Sequence, residues 1–197
     1  MMLIYPGCNN FKVAISFDDG PDYKYTQKYI DILKKYNAKA TFFVVGKNVE
    51  ENPELLRLLN DNKFEIGIHS YSHKNMMEMQ ESQIEEELRR SLTDVYSIIK
   101  QRVTLFRPPY GAFNDNVKDI AQKLGLKIIL WDLDSLDWKG ISCENIIHRV
   151  EKNIGGNSII LMHEGRENTL GALSFVLHKL QNKGYEFVTV SELLAMR

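Results

Sequence analysis

Asp18 and Asp19 are adjacent carboxylates followed by Gly20-Pro21. Two neighbouring acids at a chain reversal can point different ways and divide their work between a metal ion and a proton, although a lone Asp-Asp-Gly also suits an ordinary acidic turn. His69 and His73 stand four residues apart, so two imidazoles can reach one ion from a single helical turn. With 5 histidines in 197 residues, chance supplies roughly 0.1 such pairs, and the pair by itself leaves metal binding and core packing both open. In Arg107-Pro108-Pro109-Tyr110-Gly111 the double proline fixes φ twice and withdraws two donors. The result is a stiff loop that can aim Arg107 and present the Tyr110 N–H, or simply a rigid turn with a surface arginine. Asp132, Asp134 and Asp137 form a carboxylate cluster beside the aromatic Trp138, and Leu161-Met162 leads into His163 and Glu164. His148 and His178 fall inside helical patterns and read as structural.

These groups need elements that bring them together. Seven short β-type runs cover residues 13–17, 40–45, 64–68, 103–106, 127–131, 158–162 and 186–190, most of them continuously apolar as buried parallel strands are. Helical patterns lie between them. The clearest spans residues 83–99, with Ile84, Leu88, Leu92, Val95 and Ile99 on one face and Glu85 with Arg89 and Glu86 with Arg90 as i,i+4 pairs outside. Asn52-Pro53-Glu54 has the form of a helix start, with Leu55, Leu56, Leu58 and Leu59 behind it. Val117, Ile120, Ala121 and Leu124 mark another helix, as do Leu173, Val176, Leu177 and Leu180, and Gly125 and Gly184 fall at helix C-caps. Alternating β and α units predict either a doubly wound open sheet or a closed or nearly closed barrel. Both place function just past the carboxyl ends of the strands. Apart from His148 and His178, every polar group named above lies at the end of one of five of the seven runs.

Composition narrows the classes. A chain of 197 residues with 44% hydrophobic residues and 12 glycines can build one domain and is neither disordered nor fibrous. Lys plus Arg number 25 against 26 Asp plus Glu, giving a net charge of −1 and no charge block, so nucleic acid and membrane insertion are not expected as partners and no protein partner is evident. The first residues lack the basic start and apolar middle of a secretion signal, which predicts a cytoplasmic protein, or an extracellular or cell-wall one where the chain is trimmed. Cys8 and Cys143 read as two unpaired thiols. No dinucleotide fingerprint or phosphate loop is present, because Gly46-Lys47 lacks the glycine five residues earlier.

Phe17-Asp18-Asp19-Gly20-Pro21, His69-Ser70-Tyr71-Ser72-His73, Arg107-Pro108-Pro109-Tyr110, Asp134-Ser135-Leu136-Asp137-Trp138 and Leu161-Met162-His163 resemble the five ordered motifs of the polysaccharide deacetylases. That family is also called NodB-homology or carbohydrate esterase family 4. Ala40-Thr41-Phe42-Phe43-Val44 resembles its second strand, and the likeness runs from about Val13 to Val190. The resemblance implies a single-domain α/β protein, a distorted (β/α)7 barrel over residues 13–197 after an N-terminal segment 1–12. It implies hydrolysis of the N-acetyl group of a GlcNAc-containing glycan with one divalent metal, zinc first and cobalt, nickel or ferrous iron as alternatives. Matched position by position, Asp19, His69 and His73 would ligate the metal and Asp18 would be the general base, held by Arg107. Tyr110 would give its N–H to the oxyanion, Asp137 would support His163 as general acid, and Trp138 and Leu161 would line the methyl pocket. Ser16 stands where the family commonly has Thr and Glu164 where it commonly has Asp. Two rivals keep the same fold: an amide hydrolase acting on a small metabolite or cyclic amide, and a non-catalytic glycan-binding protein. Retention of all three ligand positions weighs against the first, and of Asp18 and His163 against the second.

Overall fold

The computed structural model describes residues 11–197. Eight strands follow in chain order: β1 (Lys12–Asp18), β2 (Ala40–Val44), β3 (Glu65–Ile68), β4 (Leu105–Phe106), β5 (Lys127–Ile128), β6 (Leu133–Asp134), β7 (Ser158–His163) and β8 (Glu186–Phe187). The helices between and after them are α1 (Thr26–Lys35), α2 (Gly46–Glu51), α3 (Pro53–Asp61), α4 (Glu81–Ile99), α5 (Asp115–Lys123), α6 (Cys143–Asn153), α7 (Glu167–Asn182) and α8 (Val190–Leu194).

All pairings are parallel, in the order β5-β4-β3-β2-β1-β7-β6, with β8 pairing the start of β1. Read around a circle, strands β1 to β7 keep chain order and close where β1 meets β7. The circle lacks only a β5–β6 bond, so the sheet is a distorted (β/α)7 barrel open at one seam and not a doubly wound sheet. The alternation of β1 divides its side chains between two surroundings. Val13, Ile15 and Phe17 join the large cluster packed under the helices, where the rings of Phe17 and Phe42 stack 5.1 Å apart. Ala14 faces inward with Phe43, Leu105, Ile129 and Ile159, and further along the same face come Ser16 and Asp18. Each large apolar side chain so buried is worth about 1.5–3 kcal/mol.

All seven β-type runs contain a strand, but three are shorter than the apolar pattern implies. The run at 186–190 stops at Phe187 because Thr189 and Glu192 form a reciprocal capping box that starts α8 at Val190. Those at 103–106 and 127–131 reduce to two residues each, where the sheet approaches the open seam. β6 has no apolar run of its own, and α2 has no amphipathic repeat long enough to read; neither was expected. Helix α4 begins at Glu81 with a Gln80–Gln83 capping box. Pro53 opens α3, yet the Asn52 side chain donates back to Asn48 O and caps nothing. Gly125 and Gly184 adopt φ of +73° and +81° after α5 and α7, as helix C-terminal turns require. Cys143 Sγ donates to Asn168 O, and Cys8 lies outside the described residues. No helix among the described residues is long and apolar enough to cross a membrane.

Candidate active site

The carboxyl ends of β1, β3, β6 and β7 and the loops after β4 and β5 surround one cavity of about 450 Å³. Asp18, Asp19, His69, His73, Tyr110, Trp138, Leu161 and His163 all line it, joined by Trp131, Asp134 and Arg166. Every residue that the resemblance assigned to the site is therefore at this cavity or, for Arg107 and Asp137, buried directly behind a residue that is; of the wider carboxylate cluster, one member lies elsewhere. That member is Asp132, whose Oδ2 accepts from Ile159 N and pairs with Arg197 on the outer surface. His148 and His178, on α6 and α7, stand clear of the cavity.

Asp19, His69 and His73 bring one donor atom each to within 4.8 Å of one another. The two imidazoles do not meet through a helical turn. After β3 the chain bends, with Ser70 and His73 at φ of +60° and +55°, and the Ser70 hydroxyl accepts from His73 N at 3.0 Å. Left-handed backbone is costly for residues with a Cβ and is held here by outside contacts. Glu87 of α4 supplies them, its carboxylate accepting from Tyr71 N, Ser72 N and the Ser72 hydroxyl at 2.7–3.0 Å. Sequence reading missed Glu87, because on a helix surface it looks like any solvated acid.

His69 is buried, and its Nδ1 donates to Arg107 O at 2.6 Å, which leaves the Nε2 lone pair facing the cavity. Burial lowers its pKa, against the opposing pull of Asp18 and Asp19. Its Nε2 lies 3.7 Å from Asp19 Oδ1, and His73 Nε2 lies 3.2 Å from the same atom. Asp19 Oδ1 is buried yet makes no hydrogen bond among the described residues. A carboxylate oxygen desolvated beside two imidazole nitrogens with no hydrogen bond to either is unfavourable by itself, and a cation among the three converts the arrangement into a favourable one. The donor set of one oxygen and two nitrogens therefore fits a divalent first-row metal with a position left open.

Asp18 is spent differently. Its Oδ1 accepts from Arg107 Nη1 at 2.7 Å, and its Oδ2 lies 3.6 Å from His69 Nε2. Arg107 is wholly buried, donating also to the Ser16 hydroxyl and to the carbonyls of Ile129 and Leu130, with its guanidinium 4.0 Å above the Phe43 ring. The surface-arginine alternative is thus excluded. The prolines after it deliver Tyr110 at φ +61° with an N–H that finds no partner among the described residues, while its ring lies edge-on to His73. Gly111 follows at φ +66°, where a Cβ would come 2.7 Å from the Trp131 ring, so this loop and that wall fit only through glycine.

Across the cavity, His163 Nδ1 and Asp137 Oδ1 are 2.7 Å apart, and Asp137 Oδ2 accepts from His163 N and the Thr169 hydroxyl. Burial alone would lower the His163 pKa, but the hydrogen bond and charge of Asp137, with Asp18 and Asp19 beyond, outweigh it and raise the value. Burial likewise pushes Asp137 up, and its bonds from His163 and Thr169 bring it below the ordinary carboxylate value. Asp18 and His163 are register partners on β1 and β7, so an acid carrying an arginine and a histidine carrying an acid stand side by side on the inner face.

A family model described as polysaccharide deacetylase matches residues 8–129. A peptidoglycan-N-acetylglucosamine deacetylase of Bacillus cereus is 38% identical over 192 residues, covering 94% of this chain and 90% of that protein. The structure of the peptidoglycan deacetylase PdaC from Bacillus subtilis superposes with a TM-score of 0.90 at 34% identity, over 96% of this chain and 92% of the other. A carbohydrate esterase 4 pseudoenzyme from Bacillus anthracis superposes with a TM-score of 0.89 at 32% identity, over 95% and 66%. Since an inactive protein shares the fold, the barrel does not decide activity; the side chains at the cavity do.

Proposed function

The chain belongs to the polysaccharide deacetylase family, carbohydrate esterase family 4, and from that membership we propose that it hydrolyses the N-acetyl group of a GlcNAc-containing glycan and releases acetate. The observation that carries this reading is the meeting, in one cavity, of a three-donor metal site with two separately partnered proton carriers, Asp18 on Arg107 and His163 on Asp137. Mere glycan binding needs neither carrier. The catalytic domain on this reading is residues 13–197.

Asp19, His69 and His73 would hold the metal, zinc by first choice. When bound, the cation supplies Lewis acidity, polarising the amide carbonyl and making water easier to deprotonate. Arg107 holds Asp18 through Oδ1 so that Oδ2 is left to accept the proton of the attacking water as the new C–O bond forms. The Tyr110 N–H donates to the carbonyl oxygen as it gains charge, a contribution of about 2.7–4 kcal/mol for one such donor. An amine leaves poorly unless protonated. His163, charged and fixed through Nδ1 by Asp137, delivers a proton from Nε2 to the nitrogen as the C–N bond breaks. Leu161 and the half-exposed Trp138 give the acetyl methyl an apolar seat.

The test is acetate release by the purified protein, with chelator and with zinc or cobalt restored, on chito-oligosaccharides, peptidoglycan fragments and monomeric N-acetyl sugars. Metal-dependent release from oligomers supports the reading. Absence of release from any of them, with metal bound, overturns it.

A further inference from the structure

Arg166 stands three residues after His163, at the start of α7, and is the one permanently charged cation among the described residues lining the cavity. The acids there are Asp18, Asp19 and Asp134. The contrast with Arg107 is chemical. Arg107 has donors engaged by a carboxylate, a hydroxyl and two carbonyls. Arg166 reaches only Trp138 O, at 3.5 Å, its Nε is buried with no hydrogen-bond partner, and it forms no ion pair among the described residues. Nor does Asp134 satisfy it, because that carboxylate is taken up by Leu136 N at 2.7 Å and Trp138 Nε1 at 3.2 Å. Lys139 Nζ lies 5.0 Å from the centre of the Trp138 ring. Beside the candidate metal donors Asp19, His69 and His73, the cavity lining therefore holds an indole hydrogen-bonded to Asp134 and a single guanidinium.

A half-buried guanidinium whose Nε is buried without a partner and whose fork has only a 3.5 Å contact to Trp138 O matches a carboxylate better than any neutral sugar hydroxyl. We propose that Arg166 reads a carboxylate carried by the glycan beside the acetamido group, so that the protein prefers acidic N-acetylated glycans to neutral ones. The identity of the ligand as a glycan rests on the deacetylase reading; the preference for an anion rests on Arg166 and its surroundings.

Three tetrasaccharides test it: chitotetraose, a peptide-free peptidoglycan tetrasaccharide whose lactyl groups are free carboxylates, and the same compound with those groups converted to primary amides. For the wild type, kcat/KM for the carboxylate compound should exceed that for its amide about tenfold, through KM. In Arg166→Gln the ratio should fall to about 1, and Arg166→Lys should keep part of it. A ratio near 1 in the wild type, or a ratio unchanged in Arg166→Gln, overturns the proposal while leaving deacetylation standing. A larger preference for fragments still bearing their peptides than for peptide-free ones would place the recognised carboxylate on the peptide and overturn its assignment to the sugar. Should no compound release acetate, the deacetylase reading falls, and calorimetric binding of the carboxylate and amide compounds to wild type and Arg166→Gln still decides the anion site. Equal binding of the two overturns it.

Discussion

Arg107 Nη1 lies 2.7 Å from Asp18 Oδ1 inside the barrel, and the two side chains are 0% and 3% exposed. Burial lowers the arginine pKa, and the neighbouring carboxylate restores much of what burial takes. A buried pair of this kind contributes little net stability over a well-packed apolar pair, but removing one partner leaves an uncompensated charge and costs about 3–5 kcal/mol. Its value here is positional: one oxygen of Asp18 is fixed on Arg107, while Asp19, one residue on, groups with His69 and His73 as a candidate metal ligand.

The adjacent acids should therefore separate in a metal assay. Asp18→Asn should keep one metal per chain while kcat falls about 10²- to 10⁴-fold, as loss of a general base does. Asp19→Asn should lose metal and activity together. Metal content by elemental analysis, beside acetate release, checks the division, and equal metal loss in both variants would contradict it. Added metal should also raise Tm in the wild type, by about 2.7 kcal/mol of stability at a hundred times Kd, and leave Asp19→Asn unmoved.

The Asp137–His163 pair sets an alkaline limit. A general acid must be protonated, so kcat/KM should fall as pH rises through the His163 pKa, which lies above the ordinary imidazole value. Asp137→Asn removes the group that raises it, and the alkaline limb should move to lower pH with kcat reduced. A limb that stays in place would assign it to another group. The stability linked to the pair has the opposite signs at its two ends. It is lost as pH rises through the raised His163 pKa and as pH falls through the depressed Asp137 pKa, so it is present between them.

Glu164 has a different pH signature. It is buried under the β1–α1 loop, accepts from the Thr26 hydroxyl, and leaves Oε2 without a partner among the described residues. Burial pushes its pKa from 4.5 to about 7. A raised folded pKa means stability that is present below the unfolded value and lost as pH rises through about 7, here about 3 kcal/mol in all. Glu164→Gln should accordingly raise Tm relative to the wild type at pH 8.5 and lose that advantage by pH 4.5, in thermal melts of both proteins. An offset equal at both values would show that the charge is not responsible.

Much of this architecture is written in local patterns. The short, mostly apolar runs at 13–17, 40–45, 64–68 and 158–162 read as strands buried on both faces, and the amphipathic stretch at 83–99 as a helix lying on a core, because these conformations remove those side chains from water at those lengths. The candidate site residues were legible for a related reason: in α/β folds chemistry gathers at the carboxyl ends of strands, and Asp18 and His163 end strands while His69 and Arg107 directly follow them. What periodicity could not supply were the elements without a period of their own, β6 and α2, or the stops imposed by a cap, as at Thr189.

Tertiary structure alone decided the rest. Periodicity left barrel and open sheet both open and only the family resemblance favoured the barrel; what closes it is the β1–β7 pairing, a contact across 145 residues of chain that no local pattern encodes. The Arg107–Asp18 contact was implied by the resemblance, but tertiary structure decided that the arginine is wholly buried, that His69 and His73 converge through a strained loop and not a helical turn, and that Glu87 holds that loop. Arg166, unremarkable in the sequence, acquires a role only because its donors stay unspent beside the cavity. The physical reason is common to all of these. Side-chain type fixes what chemistry a residue can perform, while burial and partners, set by contacts distant in sequence, determine which charge is paired, which lone pair is free and which donor remains available.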